Sequence, residues 1–136
     1  MIFLSIQSYG QLNVKEKTND KVLIGEGKLY GIKYMDITYY NSHEKYLFMF
    51  KDMTYQHIYE SGSFWLNDQS FNELYELILQ NINSKEKKEF DIDIDDEKLT
   101  LRFEKKRCSF WVWDGYNWSY SVGFNKNQIL KLFGKE

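Results

Sequence analysis

The residue types most often used for metal binding and nucleophilic catalysis are few in this chain. It has two histidines, His43 and His57, and one cysteine, Cys108. A zinc site needs several Cys, His or carboxylate ligands around one ion, and neither histidine has a second His or Cys at ligand spacing. We predict that His43 lies in a surface turn and that His57 is structural, with no bound metal.

The cysteine is better explained by packing than by catalysis. Cys108 falls in an apolar, strand-like segment, and a free cysteine in such a segment commonly acts as a small core hydrophobe. A nucleophilic thiol would need a histidine partner and electropositive surroundings. The chain also lacks the GxxxxGK[ST] and GxGxxG phosphate-binding motifs. We therefore predict that the protein is not an enzyme and has no catalytic residues and no cofactor.

Carboxylates alternate with apolar residues in the segment 90–97, and this alternation predicts a strand. A calcium-binding EF-hand loop that began at Asp91 would need Gly at its sixth position and Glu at its twelfth, where this chain has Asp96 and Arg102. Strand alternation puts the acids on a solvent face opposite Phe90, Ile92 and Ile94. These acids form a predicted partner-binding edge: Asp91, Asp93, Asp95, Asp96 and Glu97.

A second candidate surface is a hairpin that is rich in aromatic residues. Asp114-Gly115 separates two strand-like runs, 107–113 and 116–122, and Asp-Gly is a strong signal for a two-residue hairpin turn in which both residues have positive φ. By residue parity, Phe110, Tyr116, Trp118 and Tyr120 would share one face, and Trp111 and Trp113 the other. We expect Trp111 and Trp113 to be buried under other elements. The alternative is an exposed aromatic patch, which with Trp118 would be a partner site.

The elements that position these residues form an α+β fold, mainly antiparallel sheet with two amphipathic helices near 68–83 and 125–133. Apolar residues at helical spacing predict the first helix, with Asp68 or Ser70 as its N-cap. The predicted strands span 21–25, 28–40, 45–51, 53–60, 62–66 and several segments of the second half, with a turn at Gly25-Glu26-Gly27. Leu66-Asn67 and Phe124-Asn125 each precede a helix, which suggests a two-fold internal pseudo-repeat of strands followed by a helix. Chance convergence of strand-to-helix capping explains the match about as well.

Composition sets the broad class of protein. A length of 136 residues fits a single domain, 1–136. The net charge of −2 argues against nucleic acid as a partner. No apolar run approaches the roughly 20 residues that cross a bilayer, and residues 1–10 predict a strand, with Ile2, Leu4 and Ile6 on one face, rather than a signal peptide. A single cysteine fits a reducing compartment, so we predict a cytoplasmic protein.

These observations favour a non-catalytic protein-binding module, an immunity-like or inhibitor-like protein of a bacterial or phage conflict system. Its acidic and aromatic strand surface would dock onto another protein, such as a basic toxin or nuclease. The alternative is a small-molecule or nucleotide-binding domain whose sheet stacks a ligand on Tyr30, Tyr34, Trp111, Trp113 and Trp118. An enzyme with a dispersed site is the third reading. Pairing of segment 28–40 or of the aromatic hairpin between subunits leaves a homodimer open.

Overall fold

The structure is a computed structural model that describes residues 7–9, 12–14, 20–94 and 97–136, the first two ranges as backbone only. The predicted strand face of Ile2, Leu4 and Ile6 lies outside these residues. β1 (Gln7–Tyr9) pairs antiparallel with β2 (Leu12–Val14) in a short hairpin. Among the described residues, neither helix combines the length and the apolar character that a membrane span requires.

The rest of the described chain is two successive units of the same plan, each a four-stranded antiparallel meander followed by a helix. The first unit consists of β3 (Lys21–Leu29), β4 (Ile32–Tyr40), β5 (Lys45–Lys51), β6 (Ser61–Leu66) and α1 (Asp68–Asn81). The second consists of β7 (Lys88–Ile94), β8 (Glu97–Glu104), β9 (Arg107–Trp113), β10 (Trp118–Tyr120) and α2 (Lys126–Leu132). The α+β class, the two helices and the strands-then-helix order of the pseudo-repeat are confirmed.

Both helices begin at an asparagine that adopts the same conformation. Asn67 has φ −79° and ψ 176°, and Asn125 has φ −78° and ψ 176°. The side-chain oxygen of Asn67 accepts a hydrogen bond from the Ser70 amide at 2.8 Å, and that of Asn125 accepts from the Gln128 amide at 3.0 Å. Each asparagine thus satisfies one of the free amides of a helix start. The prediction of Asp68 or Ser70 as the first N-cap is wrong, because Asn67 fills that position.

The core lies between the two units and is dominated by phenylalanine. The rings of Phe64 on β6 and Phe110 on β9 lie 6.1 Å apart between centroids, which joins one sheet to the other. Phe133, the C-cap of α2, contacts Phe48 and Phe71 of the first unit, with centroids 5.7 Å and 5.2 Å apart. The helix of the second unit therefore packs against the first unit.

The turn between β3 and β4 lies five residues later than the sequence predicted. Tyr30 and Gly31 form it with φ of 52° and 79°, the two positive values of a type I′ hairpin turn. Gly25 and Gly27 remain within β3 because they make room for the second unit. A Cβ on Gly25 would collide with the carbonyl oxygens of Lys131 and Leu132, and one on Gly27 would collide with the ring of Phe124.

The segment 53–60, predicted as a strand, is a loop that connects β5 to β6. Asp52, only 6% exposed, holds its start: the carboxylate accepts hydrogen bonds from the amides of Thr54 at 3.0 Å and Tyr120 at 3.3 Å. The Met53 amide also donates to the Tyr120 carbonyl at 2.8 Å. His57 lies exposed in this loop, so the prediction of a structural role for it is wrong.

Candidate partner-binding face

The aromatic hairpin has a four-residue loop, and this length decides which side chains lie directly opposite each other. The Asp114 carboxylate accepts hydrogen bonds from the amides of Tyr116 at 2.8 Å and Asn117 at 2.9 Å. These bonds favour the ionised form, so they lower the pKa of Asp114 below its usual value, that from Asn117 having the larger effect. Only Gly115 has positive φ, at 101°. The predicted two-residue Asp-Gly turn is therefore wrong.

Because of this loop, Trp118 is directly opposite Trp113, and Tyr120 is opposite Trp111. Cross-strand partners lie on the same face of a sheet. The four aromatic residues therefore share one face, although the parity of their numbers assigned Trp118 and Tyr120 to the other one. Equal parity does not mark a common face across this turn, because a loop of two or of four residues pairs odd with even positions. Phe110 and Val112 point to the core instead, and are fully or nearly fully buried.

This shared face is the solvent side of the second sheet, here called the outer face. Trp111 and Trp113 are only partly buried, and neither belongs to the hydrophobic core. Their cover comes mainly from neighbours on the same face: the Trp111 and Tyr120 rings stack with centroids 4.2 Å apart at 10°, and Trp113 lies 5.5 Å from Trp118. The expectation that Trp111 and Trp113 are buried under other elements is wrong. They belong to an aromatic patch.

The carboxylates of β7 lie on the same outer face. Asp91 and Asp93 are exposed and alternate with the partly buried Ile92 and Ile94, as predicted. The Thr100 hydroxyl donates to the Asp91 carboxylate at 2.8 Å. The side chain of Glu89, also on this face, accepts a hydrogen bond from the Arg102 Nε at 2.9 Å.

The strand register arranges these residues in two parallel rows across the sheet, each running from an acid to a pair of aromatic rings. One row is Asp91, Thr100, Trp111 and Tyr120, and the other is Asp93, Lys98, Trp113 and Trp118. We call them the acid-to-aromatic rows. Arg102 holds the first row in place, because its guanidinium carbon lies 4.8 Å from the centroid of the Trp111 ring while its Nε bonds Glu89.

Two hollows flank the Arg102–Trp111 contact. One has a volume of about 350 Å³ and lies over the rows, between Asp91, Lys98, Thr100 and Trp118. The other, of about 570 Å³, lies towards the opposite end of the strands, where Lys105, Arg107, Tyr120 and Gln56 line it. The outer face is thus uneven, with aromatic walls, and offers both charge signs at its rim.

The remaining predicted site residues lie elsewhere. Asp95 and Asp96 fall outside the described residues. Glu97 begins β8 on the opposite side of the sheet from Lys98 and lines a separate hollow with Asp114 and Asn117.

The five residues of the proposed ligand site do not come together. Tyr30 is at the tip of the β3–β4 turn, 101% exposed, and Tyr34 packs against the core from β4 of the first sheet. Tyr30 and Tyr34 are four positions apart, so an uninterrupted strand through both would have put them on one face. The turn at Tyr30 separates them, so the predicted five-residue pocket is wrong, and only its three tryptophans share a site.

The candidate catalytic groups are separated. Cys108 is completely buried, and burial raises the pKa of its thiol far above the usual value. His43 lies exposed in the β4–β5 turn, as predicted, with its ring 5.6 Å from that of Trp65. Among the residues that the structure describes, no three His, Cys, Asp or Glu side chains form a group that could hold a metal ion.

Sequence reasoning did not find the part that Arg102 and Tyr120 play in the outer face. The usable signal was the Lys105-Lys106 pair, whose φ values of 52° and 60° make a two-residue turn. When the residues of β8 and β9 are paired outward from that turn, Arg102 is opposite Ser109 and Thr100 is opposite Trp111.

No protein-family model matches the chain, and no curated protein or solved structure is significantly similar to it. The geometry of the outer face is therefore the basis for the proposed function.

Proposed function

We propose that this protein is a non-catalytic protein-binding module and that the outer face of its second sheet docks onto a partner protein. The observation that carries the proposal is the position of Trp111, Trp113 and Trp118 outside a core that is already filled by other residues. On a solvent-facing sheet a cross-strand aromatic pair adds up to about 1 kcal/mol to folding, which is less than a large side chain contributes in the core. Large aromatic side chains are those that contribute most to binding energy at protein interfaces.

The arrangement of the rings also supports docking. Stacking of Trp111 on Tyr120, and the contact of Arg102 with Trp111, fix these side chains before any partner arrives. A side chain that is already ordered loses less conformational entropy on binding, which leaves more of the contact energy for affinity. The acid-to-aromatic rows thus present a preorganised surface.

The acidic ends of the rows favour a basic partner. Asp91 and Asp93 are exposed on β7, and Glu89 extends the same line of carboxylates. Complementary charge speeds encounter and excludes wrong partners. We propose that the partner is a basic protein of the toxin or nuclease type, and that this chain acts as its immunity-like or inhibitor-like antagonist in a bacterial or phage conflict system. We also propose a cytoplasmic location, which the single free and buried thiol supports.

The proposal is tested by site-specific photo-crosslinking in the cells that make the protein. A photoreactive phenylalanine analogue at Thr100, in the centre of the outer face, should give one discrete adduct whose mass identifies the partner. The same analogue at Gln80, an exposed position on α1, is the matched control and should not give that adduct. Equal adducts from both positions, or none from Thr100, would contradict the proposal.

Association kinetics with the captured partner then test the role of charge. Changing Asp91 and Asp93 together to Asn should slow association about tenfold at low salt and much less at high salt, because salt screens exposed charges. Glu76→Gln, an exposed carboxylate on α1, is the control. An association rate that matches wild type at every salt concentration would contradict electrostatic docking.

The hollow of about 350 Å³ favours a second candidate, a small-molecule site. Its aromatic wall of Trp111 and Trp118, with Asp91 and Arg102 beside it, offers both stacking and hydrogen bonds. Three of the four tryptophans lie on this face, so tryptophan fluorescence reports directly on its occupation. Saturable quenching by a small molecule, lost in Trp111→Leu and retained in Trp65→Leu, would support this candidate.

A further inference from the structure

We infer that the partner adds a strand to the free edge of β7, and that the added strand alternates apolar with basic side chains. This inference depends on the proposed protein-binding function and specifies how the partner is held. Three features support it: the unpaired edge of β7, a cleft between that edge and α1 of the first unit, and opposite chemistry on the two sides of the edge.

The edge of β7 differs from the other outer strands of the two sheets. β3 lies against the end of α2, where Gly25 touches the helix backbone. β6 and β10 approach each other, with the Cβ position of Gly62 against the Ser119 hydroxyl. β7 pairs only with β8, and in the part of the chain that the structure describes no strand lies on its other side. Its free edge therefore offers backbone donors and acceptors to another chain.

A cleft of about 300 Å³ runs along this edge. One wall is α1, through Leu74 and Leu77, and the opposite wall is β7, through the consecutive residues 92–94. Leu99 of β8 and the residues Lys45, Trp65 and Leu66 of the first sheet also line it. Side chains of a strand alternate between its two faces. Ile92, Ile94 and Leu99 line the cleft from the core face of the sheet, and Asp93, whose side chain lies on the outer face, lines it as well, which puts the cleft beside the edge of β7. An incoming strand that paired with β7 would thus extend alternate side chains into the cleft.

The two sides of the edge require different side chains from the incoming strand. On the cleft side, Ile92, Ile94 and Leu77 are apolar and only partly buried. On the outer face, Asp91 and Asp93 are exposed carboxylates. Apolar residues of the partner would fill the cleft, while the lysines or arginines between them would lie beside the carboxylates. This is the β-augmentation mode, in which the backbone supplies affinity and alternate side chains supply specificity.

A second copy of this chain does not fit the same edge. Antiparallel pairing of two β7 strands about Asp91 would put Asp91 opposite Asp91 and Glu89 opposite Asp93. Like charges directly across a strand pair destabilise it. The charge pattern therefore selects a partner of different sequence, and a basic one.

The test uses synthetic peptides and the full chain. The probe is a capped heptapeptide that alternates lysine with valine, and the control has the same composition with its lysines and valines in two blocks. NMR hydrogen exchange is measured on the amides of β7. The alternating peptide should slow exchange at every second residue of β7, because the amides that point away from β8 become hydrogen-bonded. The blocked peptide should not slow it.

Two protein variants make the test specific for the cleft. Ser70 lines the cleft from the first turn of α1, and no hydrogen bond of its hydroxyl is needed for the helix cap, which uses its backbone amide. Ser70→Tyr should fill the cleft and weaken peptide binding about tenfold or more. Asn72→Tyr, on an exposed position of the same helix, should leave binding unchanged.

N-methylated peptides then distinguish strand pairing from simple charge attraction. Methylation of the backbone amides of one alternate set, either the lysines or the valines, removes the donors that face β7. One of the two methylated peptides should lose binding and the other should keep it. Equal binding by both methylated peptides, or by the blocked peptide, would overturn the inference in favour of unspecific attraction between charges.

Failure of this inference is separable from failure of the proposed function. If Thr100 crosslinks a partner whose affinity is unaffected by Ser70→Tyr, and whose binding leaves exchange on β7 unchanged, strand addition is wrong and docking by the outer face stands. If the alternating peptide protects β7 but Thr100 captures no partner, the β7 edge binds strands and the proposed use of the outer face is wrong.

Discussion

Single side chains define the turns and helix starts on which the two units depend. Asn67 and Asn125 start the helices with nearly identical backbone angles, and Asp114 closes the loop that sets the register of β10. All three act through side-chain oxygens that accept backbone amide hydrogen bonds. Residues of this type are therefore where local chemistry has the largest effect on the arrangement of the outer face.

The carboxyl group of Asp114 should titrate below the value of about 3.9 that is usual for aspartate, because it accepts two backbone hydrogen bonds when ionised. A depressed pKa in the folded state stabilises the fold above the unfolded pKa, and this stabilisation is lost as the pH falls through the folded pKa. The measurement is an NMR titration of the side-chain carboxyl carbon. A midpoint at or above the usual value would show that the loop does not form as described.

Removal of either helix cap should destabilise the protein by about 1 kcal/mol, because a helix amide then loses its partner. The variants are Asn67→Ala and Asn125→Ala, with the free energy of unfolding measured in urea. Asn72→Ala and Asn127→Ala are exposed positions within the same two helices and serve as controls. Their stability should be unchanged or slightly higher, because Ala favours helix. A cap variant as stable as its control would contradict the capping role.

At the scale of elements, each sheet is a meander whose strands join through short turns, and the packing of one unit on the other decides where some turns fall. Gly25 and Gly27 carry the same turn signal in the sequence as Gly31, yet only Gly31 turns the chain. The difference arises from α2 and Phe124, which lie against the first two glycines. These contacts join residues about a hundred positions apart in the sequence, so local sequence patterns do not contain them.

Gly25→Ala should destabilise the protein by about 1–3 kcal/mol, because a methyl group there overlaps the carbonyl oxygens at the end of α2 and forces the two units apart. Ser63→Ala, an exposed position on β6, should change stability by less than about 0.5 kcal/mol. Urea unfolding measures both. If Gly25→Ala were as stable as Ser63→Ala, α2 would not pack on β3 as closely as the structure has it.

At the scale of the whole molecule, alternation and helical spacing were sufficient to predict the α+β class, the two helices and the acidic face of β7. The chain follows these patterns because each element buries one face in a shared core. The aromatic face could be predicted only in part. The tryptophans form a candidate site in the sequence, but equal parity of residue numbers puts Trp118 on the wrong side. A loop with an even number of residues, two or four, pairs odd with even positions across a hairpin, so Trp118 shares the face of Trp113. The cleft beside the edge of β7 arises because α1 packs next to that strand, and no local sequence pattern encodes this packing.

The central claim is that the outer-face tryptophans bind a partner and are not needed for the core. It is tested most directly by measuring partner affinity and stability together in the double variant Trp113→Ala with Trp118→Ala. The control is Phe110→Ala. Phe110 lies on β9, as Trp113 does, but its side chain is on the core side of the sheet. Removal of the Phe110 ring should lower the free energy of unfolding by about 3–5 kcal/mol.

For the tryptophan pair, affinity for the partner captured through Thr100 should fall at least tenfold, about 1.4 kcal/mol or more. The free energy of unfolding should fall by much less than it does in Phe110→Ala. The opposite pattern, with stability lost as in Phe110→Ala and the affinity of the folded protein unchanged, would mean that the tryptophans belong to the core and that the outer face is not a binding site.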